Sequence, residues 1–320
     1  MTIVLSDPRL RVACEPEHGA VVTELAPAGR ENLLWRRATE PAALPERVRT
    51  RRDADDFDTE VFVGGWFGMF PTAGIPGAAD ADRVMHGDLP RVSWRVVRHS
   101  ATTLTLSAEA RPGFALTRAL SLVDGTLTVR TEACNRTGTP LAVSFGEHPC
   151  LAREAFAGGR VRMAAAGAVV PAEASSPGSV SVLPGSRAEW PMLPGAHGGL
   201  HDLSVIPREP DATHDHVLVD MVGSMVAVES PRLSGTLEFR FDPKATPHLL
   251  LWRHFLPADT PWDGDVFSPE FLSLPGRSLD DPGAREALRV VEPGATISWS
   301  LAARWLPSTH TRKESHRADD

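Results

Sequence analysis

His148 stands between Glu147 and Pro149 at the end of an alternating run, Leu141-Ala142-Val143-Ser144-Phe145. The proline that follows constrains its backbone, and imidazole is the side chain whose unperturbed pKa lets it gain and lose a proton near neutrality. Two other segments offer partners: His86-Gly87 upstream, and Ser268-Pro269-Glu270 running on to Pro275-Gly276 downstream. Glu270 sits in an otherwise apolar stretch, Val266 to Pro275. Partial desolvation there would raise its pKa and make it a better base near neutral pH; the alternative is a solvent-facing residue on an alternating strand. An acid and a base facing one small polar substrate is the simplest chemistry for this set.

Further segments could line such a site. Gly64 to Gly74 combines glycines, which let backbone approach a ligand closely, with Trp66, Phe67 and Phe70. Aromatic faces suit the C–H side of a sugar ring, and a buried bulge would use the same residues. His214-Asp215-His216 precedes Val217-Leu218-Val219, so both imidazoles can share one face of a strand, as metal sites require. No glutamate follows at the spacing of a jelly-roll metal set, and Asp215 is the more interesting member as an acceptor for substrate hydroxyls. Cys150, two residues after His148, is either a catalytic thiol or a buried inert one. Arg253 and Arg277 near the presumed cleft would favour an anionic substrate, with structural arginine as the alternative.

The elements that must position these residues are strands. Arg91 to Val97, Thr103 to Ser107, Thr126 to Arg130, Thr236 to Phe241 and Ala295 to Leu301 alternate apolar and polar residues, the pattern of half-buried antiparallel strands. Asp124-Gly125, Arg136-Thr137-Gly138 and Glu292-Pro293-Gly294 are turn signals between them. With 28 prolines and 26 glycines, helices are expected to be short and few, at Leu151 to Phe156 and Pro282 to Leu288. The chain reads as all-β, a large antiparallel sandwich or barrel in one domain over 1–307, with extended loops between Ala165 and Gly199 and a frayed tail from Ser308 to Asp320.

Composition narrows the function. A net charge of −8 over 320 residues argues against nucleic-acid binding, which needs a basic face. The basic run Arg47 to Arg52 is followed at once by Asp53, Asp55, Asp56 and Asp58 and reads as a solvated loop. Three cysteines without CxxC spacing point to a reducing compartment. Neither a signal segment nor an apolar run of membrane length is visible, so a cytoplasmic protein is expected.

Taken in order, the motifs resemble those of the aldose 1-epimerase (galactose mutarotase) family, in particular its bacterial mutarotase-like branch. Gly64-Gly65-Trp66 with Phe70-Pro71-Thr72-Ala73, then His86-Gly87, then Gly146-Glu147-His148-Pro149 resemble that branch's successive segments. Asp215-His216 is similar to the family's Asp-His strand start, Glu270 with Pro275 to its catalytic glutamate and proline, and Pro293-Gly294 to the turn before its final strand. The resemblance implies a β-sandwich whose concave face binds a monosaccharide. His148 would protonate the ring oxygen and Glu270 would take the proton of the anomeric hydroxyl. His86 would assist at the ring oxygen or a neighbouring hydroxyl, Asp215 would accept hydrogen bonds from hydroxyls, and Trp66 and Trp252 would line the cleft. No cofactor or metal is implied, and a homodimer stays open. The chain departs from the pattern in three places. No Asn-Arg pair precedes His86, where Arg83 stands instead as a candidate substrate contact; Trp252-Arg253 occupies the place of a sugar-contacting glutamine; and Cys150 replaces an aromatic residue.

Two other readings use the same residues: a carbohydrate-binding sandwich without turnover, and a cupin-like metalloenzyme using His214 and His216. The acid–base reading expects the His148 imidazole and the Glu270 carboxylate on opposite walls of one cleft, about a sugar ring apart.

Overall fold

In a computed structural model, which describes residues 1–38, 57–58, 61–80, 82–258 and 264–308, the alternating segments are strands. Phe114–Val123 and Thr126–Asn135 bury every second side chain along most of their length and pair antiparallel around Asp124-Gly125. Thr103–Ala110 and Arg95–His99 extend this layer on one side, Thr296–Pro307 and Gly235–Phe241 on the other. A second layer runs Ile3–Ser6, Leu10–Glu15, Val21–Pro27, Trp66–Met69, Gly146–Pro149, Asp265–Leu272 and His248–Phe255, each antiparallel to the next. The 17-residue strand His214–Ser230 ties the two together. Its first part, His214–Val219, pairs with Leu249–His254; its last part, Met225–Ser230, pairs with Gly235–Arg240. The result is a large antiparallel β-sandwich.

The central strands of the second layer are buried on both faces. Every residue of Trp66–Met69 and Gly146–Pro149 is buried, as is all but the first residue of His248–Phe255 and Asp265–Leu272. Successive residues of a strand point to opposite faces. Trp66, Leu251 and Phe271 therefore enter the core between the layers, while Phe67, Leu250, Trp252 and Leu272 enter a separate apolar cluster on the other face. That second cluster is the floor and wall of the candidate site.

Local structure departs from the expected spans where proline and glycine intervene. Pro90 opens a 3-10 turn at Leu89–Arg91, so the strand expected from Arg91 begins at Arg95. The strand expected over Leu141 to Phe145 is Leu141–Val143, paired with Arg289–Val291. Of the helix expected over Leu151 to Phe156 only Arg153–Phe156 is helical, because Leu151 and Ala152 pair with Phe267 and Val266. Pro282 to Leu288 forms turns, with Gly283 at φ 77°. The run Arg47 to Arg52 and the tail beyond Ser308 lie outside the described residues. Among the described residues no helix is long and apolar enough to cross a membrane.

Candidate active site

Strand register brings His148 and Glu270 together. Gly146 pairs with Leu272 and Glu147 with Phe271, and the same register holds at Leu151 with Phe267. Continued between these points, it sets His148 opposite Glu270. Nε2 of His148 lies 3.4 Å from Oε1 of Glu270, and each side chain is 5% exposed. A Cβ at Gly146 would fall 2.4 Å from the Phe271 carbonyl oxygen, so glycine is what lets these strands approach here. The pair are cross-strand neighbours, closer than the opposite walls expected from the sequence.

Their surroundings are aromatic. The His148 ring stacks on Phe67, its partner on the adjoining strand, with centroids 4.6 Å apart. His86 and Trp252 stand at steep angles to it, 5.5 Å away. Removal from water disfavours the charged form of each group. Burial pushes His148 down to about 3 and Glu270 up to about 8. At neutral pH the pair thus holds one proton, and it rests on the carboxyl.

Cys150 fixes which imidazole nitrogen faces Glu270. Two residues on from His148, it shares that face of the strand, with Sγ 3.3 Å from Nδ1. Burial pushes the thiol well above its ordinary range, so it is neutral and not a nucleophile. The thiol donates to the His148 carbonyl at 3.9 Å, which leaves sulfur to accept from Nδ1–H. The Nε2 lone pair then points at Glu270.

His86 is held by an unusual backbone. Its φ is 56° and that of Gly87 is 70°; a Cβ at Gly87 would lie 2.1 Å from the Phe70 carbonyl oxygen, so that position requires glycine. Arg91 clamps the loop by donating to the carbonyls of Met85 and Gly87 at 2.6 and 2.7 Å. The Gly74 N–H donates to His86 Nδ1 at 3.3 Å, placing the ring proton on Nε2. Burial, reinforced by the neighbouring His148 and Arg91, holds His86 well below the usual histidine range.

His148, Glu270 and His86 line one cavity of about 250 Å³, which also reaches Phe62, Trp252, His214, His216 and His254. Trp252 Nε1 donates to His214 Nε2 at 3.0 Å. An indole nitrogen can only donate, so the His214 proton sits on Nδ1, 2.7 Å from Ser176 Oγ. Both ring nitrogens are therefore committed to hydrogen bonds, which leaves His214 no lone pair for a metal. Among the described residues no group of three or more His, Cys, Asp or Glu is arranged to hold one.

The structure brings His148, Glu270, His86 and Trp252 to this cavity; three expected contacts lie elsewhere. Trp66 points the other way along its strand, fully buried in the inter-layer core, where its Nε1 donates to Glu147 at 2.7 Å. Asp215 alternates away from His214 and His216, and its carboxylate accepts from the Ser181 N–H, the Ser181 hydroxyl and the Val182 N–H. Arg83 donates to the carbonyls of Pro71 and Ala142 and to Thr72 Oγ1, beside a different cavity. Phe67, from the same expected segment as Trp66, lies under His148. Two further residues were missed by sequence reasoning. Phe62 meets Trp252 and His148. His254, opposite His214 in register, has its ring 4.8 Å away. Trp252-Arg253-His254 alternates like His214-Asp215-His216, and that shared parity was the available signal.

No protein-family profile matches the chain, and no curated protein does. Solved structures do. A galactose mutarotase related enzyme from Lactobacillus acidophilus matches with a TM-score of 0.65 at 13% identity, covering 97% of this chain and 99% of its own. A galactose mutarotase-like protein from Lactobacillus casei matches with a TM-score of 0.63 at 14% identity, covering 95% and 100%. Another from Clostridium acetobutylicum matches with a TM-score of 0.60 at 13% identity, covering 96% and 95%. Likeness over nearly the whole of each chain at such low identity establishes architecture: the chain has the galactose mutarotase-like β-sandwich fold.

Proposed function

We propose that the protein interconverts the α and β anomers of a monosaccharide, with His148 and Glu270 as the proton-transfer pair. The observation that carries this reading is their 3.4 Å separation in one cavity, with each side chain 5% exposed. The ring oxygen and the anomeric hydroxyl of a hemiacetal are bonded to the same carbon, so an acid and a base a few ångströms apart can serve both. Ligand pockets commonly span about 300 to 1,000 Å³, and a cavity of about 250 Å³ suits a single sugar ring.

In ring opening, Glu270 as carboxylate takes the anomeric hydroxyl proton and a C1=O bond forms. The bond from C1 to the ring oxygen breaks, and that oxygen takes a proton from the His148 imidazolium. The pair ends as neutral imidazole and carboxylic acid. Rotation about C1–C2 presents the other face of the aldehyde, and the reverse transfers close the ring. The resting pair, with its proton on Glu270, already has the state that follows opening. The free enzyme is thus complementary to the open-chain aldehyde, and a proton shift from Glu270 to Nε2 prepares it for the cyclic form. His86 offers an Nε2–H to a nearby oxygen, and Trp252 an apolar edge. No cofactor takes part in these steps. The three cysteines are free thiols, which fits a reducing compartment such as the cytoplasm.

Anomer exchange of freshly dissolved α-glucose and α-galactose, followed by NMR, tests this. General acid–base help is worth roughly 10²- to 10⁴-fold, and His148→Ala should lose about that much. Equal rates for wild type and variant would reject the enzyme reading for those sugars. The uncharged resting pair also suits a sugar-binding protein without turnover. That reading stands if sugars bind and neither protein accelerates exchange.

A further inference from the structure

Arg277 lines the same cavity, with no part in the proton transfers described above. Its backbone is pinned: the Ile75 N–H donates to the Arg277 carbonyl at 2.8 Å, and the Arg277 N–H donates to Asp281 at 2.6 Å. Its guanidinium donates to Ser175 Oγ and, at 3.2 Å, to the Glu173 carbonyl. Both acceptors are neutral. Among the described residues no carboxylate lies within ion-pair distance of the guanidinium, and its buried Nε has no hydrogen-bond partner. A partly buried arginine with an unsatisfied donor is costly unless something else supplies the acceptor.

Charge is distributed unevenly along this cavity. Asp58, which also lines it, is felt at Cys150, beside His148. The Arg277 charge is felt instead at His216, where it helps burial keep that ring neutral. The carboxyl groups and the moving proton lie with His148, and the cation, hydrogen-bonded to Ser175 and the Glu173 carbonyl and to neither His148 nor Glu270, lines the same cavity. The two Arg277 side-chain hydrogen bonds orient the fork, and because both go to neutral acceptors they leave its charge for a ligand.

We infer that Arg277, with Ser175 and Ser176, forms an anion subsite, so that the preferred sugar carries a carboxylate or phosphate on a carbon remote from its anomeric centre. Guanidinium suits both groups because its planar donors match their oxygens. The inference rests on the sugar reading of the cavity and gives it a substrate class.

The experiment measures binding and turnover separately. Glucose, glucuronate and glucose 6-phosphate are titrated by calorimetry, and exchange of each is followed by NMR, for wild type, Arg277→Gln and Arg277→Lys. A charge-assisted hydrogen bond corresponds to roughly 10- to 100-fold in affinity. Wild type should bind at least one anionic sugar tighter than glucose by about that factor. Arg277→Gln should abolish the preference by weakening the anionic sugar selectively, about 10- to 100-fold more than glucose, and Arg277→Lys should retain part of it. The better of glucuronate and glucose 6-phosphate identifies the anion. Equal binding of neutral and anionic sugars by wild type overturns the subsite and leaves the acid–base reading intact. Equal weakening of all three sugars in Arg277→Gln overturns it too, because the arginine is then structural. Arg277-dependent binding without exchange supports the subsite and rejects turnover, and binding of none of the three rejects both.

Discussion

Glu147 and His148 are consecutive residues facing opposite sides of one strand, and the two sides treat buried charge in opposite ways. On the core side, the Glu147 carboxylate accepts from both terminal nitrogens of Arg118 at 2.9 Å, from Trp66 Nε1 at 2.7 Å and from Trp299 Nε1 at 2.9 Å. Arg118 donates in addition to Thr131 Oγ1 at 2.6 Å, and a Cβ at Gly68 would come 2.7 Å from its Nη1, so glycine makes room for the fork. Both ions are at most 1% exposed, yet each carboxylate oxygen has two donors. On the cavity side, Glu270 is nearly as buried, and its close polar contact among the described residues is His148 Nε2 at 3.4 Å. Burial alone does not make a carboxyl reactive. A fully bonded buried carboxylate is a structural fastening, whereas one stripped of water without donors keeps a proton it can give away.

The contrast can be broken at either centre. Replacing His148 by alanine should lower exchange by roughly 10²- to 10⁴-fold while leaving urea unfolding nearly unchanged; a large stability loss would mean that the cavity side is structural as well. Arg118→Met strands the Glu147 charge, and breaking a buried pair costs about 3 to 5 kcal/mol. Urea unfolding should show a loss of that size, and a negligible one would deny the centre its role as a fastening.

Glu270→Gln separates stability from activity by pH. The folded-state pKa is about 8, raised from 4.5. The stability due to this group is therefore complete below about pH 4.5 and is lost as pH rises to about 8. Glutamine cannot ionise, so in urea unfolding at pH 9 the variant should be more stable than wild type by roughly a few kcal/mol at most, and no difference between pH 5 and pH 9 would remove the desolvation argument. Exchange by wild type should meanwhile fall about tenfold per pH unit above pH 8, as the one shared proton leaves; a flat profile to pH 10 would show that Glu270 is not the group holding it. The smallest effect belongs to Cys150. Losing its hydrogen bond to Nδ1 should cost about 2- to 10-fold in exchange for Cys150→Ala, with Cys150→Ser recovering most of it. An equal loss in both would assign Cys150 to packing alone.

The sequence alone determined the sandwich and singled out His148 and Glu270, the pair proposed here for proton transfer. Strand alternation such as that of Thr126 to Arg130 follows from local chemistry, since one face meets core and the other is more open to solvent. A histidine before proline and a glutamate among apolar residues are local oddities, legible without coordinates. Facing was decided by the fold. Trp66 and Asp215 were drawn to the site because their types suit sugars, yet Phe67, His214 and His216 occupy the side that counts. On a strand, one position's difference inverts the face, and that parity is set by partners far away in the chain. The distance between His148 and Glu270 was likewise settled by register, which pairs segments 122 positions apart and makes them touching neighbours in place of facing walls. So too the fastening of Glu147: its donors Trp66, Arg118 and Trp299 come from three distant strands, and only their convergence distinguishes it from Glu270.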